Sequence, residues 1–243
     1  MISNPLSGAA YVAKGLRLIN RPSIRPFVII PLLINSLLFA ALIWFLGNEF
    51  SNLLDSWLPA LPDWLSWLSG LLWLLFAVAI LVVLFFGFTL LANLVGAPFN
   101  SYLSAAVEKQ LSGHAPEDTD RFMQVLSKSL SDEFKKIRYF VLWAIPLFIL
   151  SFIPLLNLFT PALWLLFGAW MMSLEYADYP LGNQGLSFPE IRRRLREKML
   201  LSLGFGAAVM LASMIPVLNF LIMPAAVAGA TAMRIEHFPD ATR

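Results

Sequence analysis

The chain has 243 residues, 59% hydrophobic and only 13% charged, with 17 basic side chains against 15 acidic ones. An ordinary soluble domain carries about 25% charge, so this composition leaves too little polar surface for a water-facing exterior and describes an integral membrane protein. The absence of cysteine, two widely separated histidines (His114 and His237) and a net charge of +2 argue against a disulfide framework, a metal site, a cofactor or a nucleic-acid partner.

Residues 1–25 hold Lys14, Arg17, Arg21 and Arg25 with no acid and no continuous apolar core, so no cleavable signal peptide is read there. Asn4-Pro5 has the form of a helix start. With Lys14, Arg17 and Arg21 on one face and Ala9, Val12, Leu16 and Ile19 opposite, the segment reads as an interfacial helix on an anionic leaflet. Residues 26–48 are uncharged and fit one transmembrane helix. The loop 47–68 carries Glu49, Asp55 and Asp63, no lysine or arginine, and Trp57, Trp64 and Trp67, the pattern of an external membrane–water interface. A second transmembrane helix is predicted over 69–97, longer than a bilayer requires and therefore tilted or extended into water.

Residues 98–138 mix six basic and six acidic side chains and read as cytoplasmic helices, with Phe122, Val125, Leu126, Leu130, Phe134 and Ile137 as an apolar stripe. Two uncharged stretches follow, 139–174 and 199–233, of 36 and 35 residues. Each carries a similar punctuation near its middle: Ile153-Pro154-Leu155-Leu156-Asn157 and Ile215-Pro216-Val217-Leu218-Asn219. One span needs about 20 apolar residues, and two spans with a turn need roughly 44. The polar segment between them, 175–198, holds Arg192, Arg193, Arg194, Arg196 and Lys198, and Ser187 to Glu190 reads as a capping box. The basic bias places the N-terminus, both later polar segments and the C-terminus in the cytoplasm. Each long stretch then starts and ends on that side, as a re-entrant hairpin does and as two short complete spans also would. The lengths favour hairpins. The expected fold class is an all-α integral membrane protein with two long transmembrane helices, two partly penetrating hairpins and amphipathic interfacial helices, in one membrane domain.

No Gly-rich phosphate loop, His-Glu pairing or Gly-x-Ser-x-Gly turn is present, so no enzyme is indicated. None of the four apolar segments contains an ionisable residue. That disfavours a buried proton relay, while Glu108, Glu175 and Asp178 remain able to titrate at their edges. Asn35 and Asn93 lie within the two long helices, and Asn157 and Asn219 at the hairpin tips. A carboxamide can bind an anion without adding charge, or can hold helices together and cap exposed backbone. Small residues at 204–208 and 225–230 suit close helix packing. The sharpest anion-binding candidate is Asn20-Arg21-Pro22-Ser23-Ile24-Arg25-Pro26. There, unpaired amides of a new helix, the Ser23 hydroxyl and Arg25 converge; the alternative is that Arg21 and Arg25 anchor phospholipid headgroups.

The ordered set Gly15-Leu16-Arg17-Leu18-Ile19, Arg21-Pro22-Ser23-Ile24-Arg25, Phe27 to Asn35, Ala97-Pro98-Phe99-Asn100, Tyr176-Ala177-Asp178-Tyr179-Pro180 and Ile215-Pro216 through Met233 resembles the CysZ family of bacterial sulfate permeases. The resemblance implies a cytoplasmic-membrane protein that admits sulfate for cysteine synthesis, a fold with two long helices and two partly penetrating hairpins, and assembly as a homo-oligomer among membrane lipids. It implies sulfate held at the turn before the first long helix by the amides of Ser23 and Ile24 and by Arg25, with Arg21 in support. The family's second arginine is replaced here by Pro26, which has neither N–H nor charge. Asn35, Asn93, Asn100 and Glu108 are the candidate pathway residues. A channel-like permease is expected, with a non-transporting scaffold and a proton-coupled carrier as alternatives.

Overall fold

A computed structural model describes residues 4–57, 69–113 and 122–238, and among them every regular element is helical. Helix α1 (Pro5–Leu18) starts at Asn4, whose Oδ1 accepts the Ser7 N–H at 2.7 Å while Ser7 Oγ accepts the Asn4 N–H at 3.2 Å. Helix α2 (Arg25–Trp57) has 33 residues, about 50 Å of length. Its segment Arg25–Leu46 is, among the described residues, the one long and apolar enough to cross a membrane by length and composition. Helix α3 (Ser69–Ser112) has 44 residues, about 66 Å, roughly twice the hydrocarbon thickness. The border expected at 97/98 is not a helix end: α3 continues through Pro98, so polar residues from Asn100 onward ride on the helix that carries the apolar segment. The helix end expected at 48 is likewise absent: of the loop read over 47–68, residues up to Trp57 continue α2, and 58–68 lie outside the described residues.

Helix α4 (Phe122–Leu150) likewise runs through the border expected at 138/139. Its chain turns over 151–159, where Leu155 has φ 71° and Leu156–Leu158 form a 3-10 turn, before α5 (Thr160–Gly182). Helix α6 (Phe188–Glu197) opens on the expected capping box, Ser187 N–H donating to Glu190 Oε2 at 2.8 Å. Helix α7 (Met199–Ser213) turns at Met214-Ile215 into α8 (Pro216–His237). Both turns fall at the punctuation read from the sequence. Among the described residues no capping bond from Asn157 or Asn219 is found: both side chains are exposed, and backbone bonds close the turns.

The helices fall into two compact units. In Met1–Val28 with Ala97–Arg243, α1 packs against α7 and α8, and α5 packs against α6, α7 and α8. Small residues make these crossings close. Gly8 lies against the Leu201 carbonyl, Gly204 against Pro5, Gly15 against Ala225 and Gly229, and Gly206 against Ala169. Around them Leu174, Leu181, Ile191, Leu195, Leu201 and Phe205 are fully buried. Helix α1 therefore buries a face, Gly8, Tyr11, Val12, Gly15 and Leu18, between helices. Of the apolar face read from the sequence, Val12 and Ile19 are buried and Ala9 and Leu16 half-buried.

The unit Ile29–Gly96 contains the apolar parts of α2 and α3. Its outward side chains are large and apolar, with Leu37 69% and Val83 70% exposed and Ile43, Trp44, Phe85 and Phe86 likewise uncovered. A soluble protein rarely exposes so continuous an apolar surface; hydrocarbon is the solvent that suits it.

Candidate functional site

The site read from the sequence is the connection between α1 and α2. After Ile19 closes α1 by donating its N–H to Gly15 O, residues 20–24 make a tight turn. The side chains of Arg21, Ser23 and Arg25 are exposed on it, as are Pro22 and Pro26, while Ile24 is 0% exposed and pins the turn to the interior. Asn20 Nδ2 donates back to Leu16 O at 3.1 Å.

The amides differ from the expectation of an open helix start. Ile24 N–H and Arg25 N–H both donate to Arg21 O, at 2.9 and 3.0 Å, and Phe27 N–H donates to Ile24 O at 3.0 Å. Pro26 has no N–H. The orphan donors of a helix start are here largely satisfied by the turn that precedes it, and the Ile24 amide in particular is engaged within the chain. Ser23 N–H has no backbone acceptor among the described residues. Ser23 Oγ donates to Gln110 Oε1, near the end of α3, at 2.9 Å. Among the described residues the turn thus leaves the Ser23 N–H without a backbone acceptor, between two exposed guanidinium groups, while the Ser23 hydroxyl proton is engaged by Gln110.

The candidate pathway residues have separate fates. Asn35, on α2, is half-buried and its Oδ1 has no hydrogen-bond partner among the described residues. The side chain of Asn93 lies outside the described residues. Asn100 is buried and donates to the Tyr179 hydroxyl at 3.3 Å. Glu108 is buried and pairs with Arg234 Nη1 at 2.9 Å, the Arg234 side chain being 6% exposed. Asn100 and Glu108 belong to a ladder on α3 that also includes Ser101 and Ser104. Ser101 donates to Asn183 Oδ1 and accepts, through its carbonyl, from Asn183 Nδ2 at 2.9 Å. Ser104 Oγ and Thr231 Oγ1 are 2.9 Å apart. The ladder holds the polar end of α3 to α5 and α8.

Two further clusters escaped the sequence reading. Lys136, its side chain 8% exposed, lies 3.0 Å from Glu175 Oε2 and 3.1 Å from Asp178 Oδ2. Glu236 accepts from Tyr11 OH at 2.5 Å and from Lys14 Nζ, tying the end of α8 to α1. Burial disfavours the Glu236 carboxylate, but the hydrogen bonds from Lys14 and Tyr11 outweigh it and hold its pKa below the usual value. His237, edge-on to Tyr11, is pushed below the usual histidine value by burial and by the charge of Lys198. A signal for the first cluster was present: a lysine just before residues 139–174 and two acids just after them mark a stretch whose feet meet.

A helical chain with bulky apolar side chains outward and its buried charges paired near helix ends is an α-helical membrane protein. Residues 11–224 match the model of the family described as sulfate transporter CysZ/etoposide-induced protein 2.4. The chain is 46% identical over 231 residues to the sulfate transporter CysZ of Pseudomonas fluorescens, covering 93% of this chain and 92% of that one. It is 44% identical over 229 residues to proteins of the same name in Pseudomonas aeruginosa and Pseudomonas paraeruginosa, with 93% of each covered. The chain belongs to this family, whose named relatives are transporters and not enzymes.

Proposed function

We propose that this protein is a sulfate permease of the bacterial cytoplasmic membrane, importing sulfate for assimilation by a channel-like pathway. The observation that carries the proposal is the near-complete coverage, at 44–46% identity, of relatives named sulfate transporter. The chemistry of the chain agrees with it. Sulfate is a doubly charged oxyanion whose dehydration is costly. Neutral carboxamides, amides and arginines at the rim can substitute for its water without trapping it. The four apolar stretches contain no ionisable residue, which weighs against proton coupling.

In this reading Ser23 N–H, Ser23 Oγ–H, Arg25 and Arg21 receive sulfate on the cytoplasmic side. Ile24 contributes by anchoring the turn, and Pro26 by starting the helix where the family has a second arginine. Helices α2 and α3 span the bilayer, and 139–174 and 199–233 are re-entrant hairpins. The 15 residues of α7 reach about 22 Å, short of the roughly 30 Å of a hydrocarbon core. Exposed Phe152, Leu155, Leu158 and Phe159 at the first tip suit an end that stops inside hydrocarbon. Such hairpins form the walls of a pathway shared within a homo-oligomer.

The test is sulfate flux into liposomes holding only the purified protein. Radiolabelled sulfate should enter well above empty vesicles and independently of an imposed proton gradient. Entry that tracks the gradient makes the protein a coupled carrier, and no entry by folded protein makes it a scaffold. Arg25→Ala should weaken sulfate binding by tenfold or more in titration calorimetry, the scale of a charge-assisted contact; unchanged binding removes Arg25 from the site.

A further inference from the structure

A side-chain hydrogen bond ties the turn between α1 and α2 to α3, Ser23 Oγ donating to Gln110 Oε1 at 2.9 Å. Gln110 stands on firm ground. It follows Glu108, whose carboxylate is paired with Arg234, and Ser104, which bonds Thr231. Leu103 and Val107 on the same helix are buried. Gln110 and Ser23 are themselves exposed, so their contact faces the solution that meets Arg21 and Arg25.

A serine hydroxyl carries one proton. While that proton goes to Gln110 Oε1, Ser23 Oγ presents only lone pairs to an approaching oxyanion, which repel it. A carboxamide holds an acceptor and two donors on one flat group. Half a turn about its terminal bond places Nε2 on Ser23 Oγ as the donor. The hydroxyl proton is then released toward the anion, and the donation polarises the hydroxyl in the direction that strengthens its own hydrogen bond.

Building on the sulfate reading of this turn, we propose that Gln110 is a positioning residue for oxyanion capture, switching Ser23 between an anion-free arrangement that donates to Gln110 and an anion-bound arrangement that accepts from it. Two consequences separate this role from simple support. Glutamate at 110 can only accept, and it adds a negative charge, so it locks the repelling arrangement. Leucine at 110 leaves the hydroxyl unoriented, and its effect exists only while Ser23 has a hydroxyl.

The experiment is titration of the full-length protein in detergent with sodium sulfate, at ionic strength fixed with chloride. Thermal unfolding verifies each variant. Gln110→Leu should weaken sulfate binding by about 3–10-fold, as loss of one hydrogen bond does, and Gln110→Glu by more. Ser23→Ala with Gln110→Leu should bind no more weakly than Ser23→Ala alone, because the two act as one unit. Wild-type affinity in Gln110→Leu, or additive losses in the double variant, overturns the proposal while a weakened Arg25→Ala leaves the site standing. Wild-type affinity in Arg25→Ala overturns the site itself.

Discussion

Replacing Gly15 by alanine tests the packing of α1 directly. A methyl group on Gly15 would sit 1.9 Å from the Ala225 carbonyl oxygen and 2.8 Å from the Gly229 nitrogen. Ordinary contact begins near 3.4 Å, and both obstacles are backbone, so no rotamer change relieves them. Helices α1 and α8 must separate by about 1.5 Å. A gap of 0.5–1 Å already forfeits a quarter to a half of each dispersion contact, and overpacking of a tight core costs about 1–3 kcal/mol, occasionally more. We expect about 3 kcal/mol, which for a chain of this size lowers the melting temperature by about 6–12 °C. The assay is tryptophan fluorescence on heating in detergent, with Gly87→Ala as control, since a methyl there meets nothing within 4 Å. A Gly15→Ala melting temperature equal to that of the control would refute the close crossing of α1 on α8.

Three more outcomes follow from the same geometry. Lys136→Met leaves Glu175 and Asp178 without the cation between them. Partial exposure of both acids discounts the loss from the 3–5 kcal/mol of a fully buried pair to about 1–3 kcal/mol. Adding Glu175→Gln and Asp178→Asn should restore most of the melting temperature, and no recovery would show that Lys136 acts through packing alone. Acidification should loosen the α1–α8 junction in two stages. His237 is depressed from 6.5, so its contribution is complete above that pH and is lost as pH falls through its folded value; Glu236, depressed from 4.5, follows at lower pH. The hydrogen-exchange protection of the last turn of α8, corrected for the intrinsic slowing of exchange in acid, should therefore fall below pH 6.5, and His237→Gln should remove the first stage; a pH-independent protection factor contradicts it. Leu155→Gly should raise stability by about 1 kcal/mol, because a leucine at φ 71° carries strain of about 1–3 kcal/mol that glycine relieves; a drop in melting temperature would show that the side chain's own contacts outweigh the strain.

The proline residues show how far the helices were legible. Pro31, Pro98, Pro146, Pro180 and Pro224 all lie inside helices, whereas Pro154 stands in a turn and Pro216 at a helix start. Proline removes a backbone bond inside a helix and none in a first turn, and all of these occur in similar apolar sequence, so the residue alone does not say which of them breaks the chain. In hydrocarbon an open backbone is costly, and a helix tolerates one lost bond more readily than a turn. What marked 154 and 216 was the length of the uncharged stretch around them, which forces the chain to reverse. Pro98 has no such demand on it, and α3 runs on. The paired charges were half-legible for the same reason: Lys136 and Glu175 flank one stretch, but Arg234 finds Glu108 across 126 residues, a distance over which no periodicity operates.

The turn between α1 and α2 was legible in composition and not in its bonding. Two arginines and a serine before a proline led to the expectation of a helix start open to an anion; those side chains are exposed. The bond from the Ile24 amide to Arg21 O depends on how tightly the chain turns between α1 and α2. The burial of α1 against Ala225 and Gly229 sets that tightness. A loosely placed surface helix would have allowed an open turn with free amides. A helix clamped by glycines at 8 and 15 brings Ile24 under the turn and closes it, so in the proposed site the donor left for an anion is Ser23. The close packing of α1 and the closed bonding of this turn are in this way linked. Gly15→Ala should therefore weaken sulfate binding as well as stability, although Gly15 touches no anion.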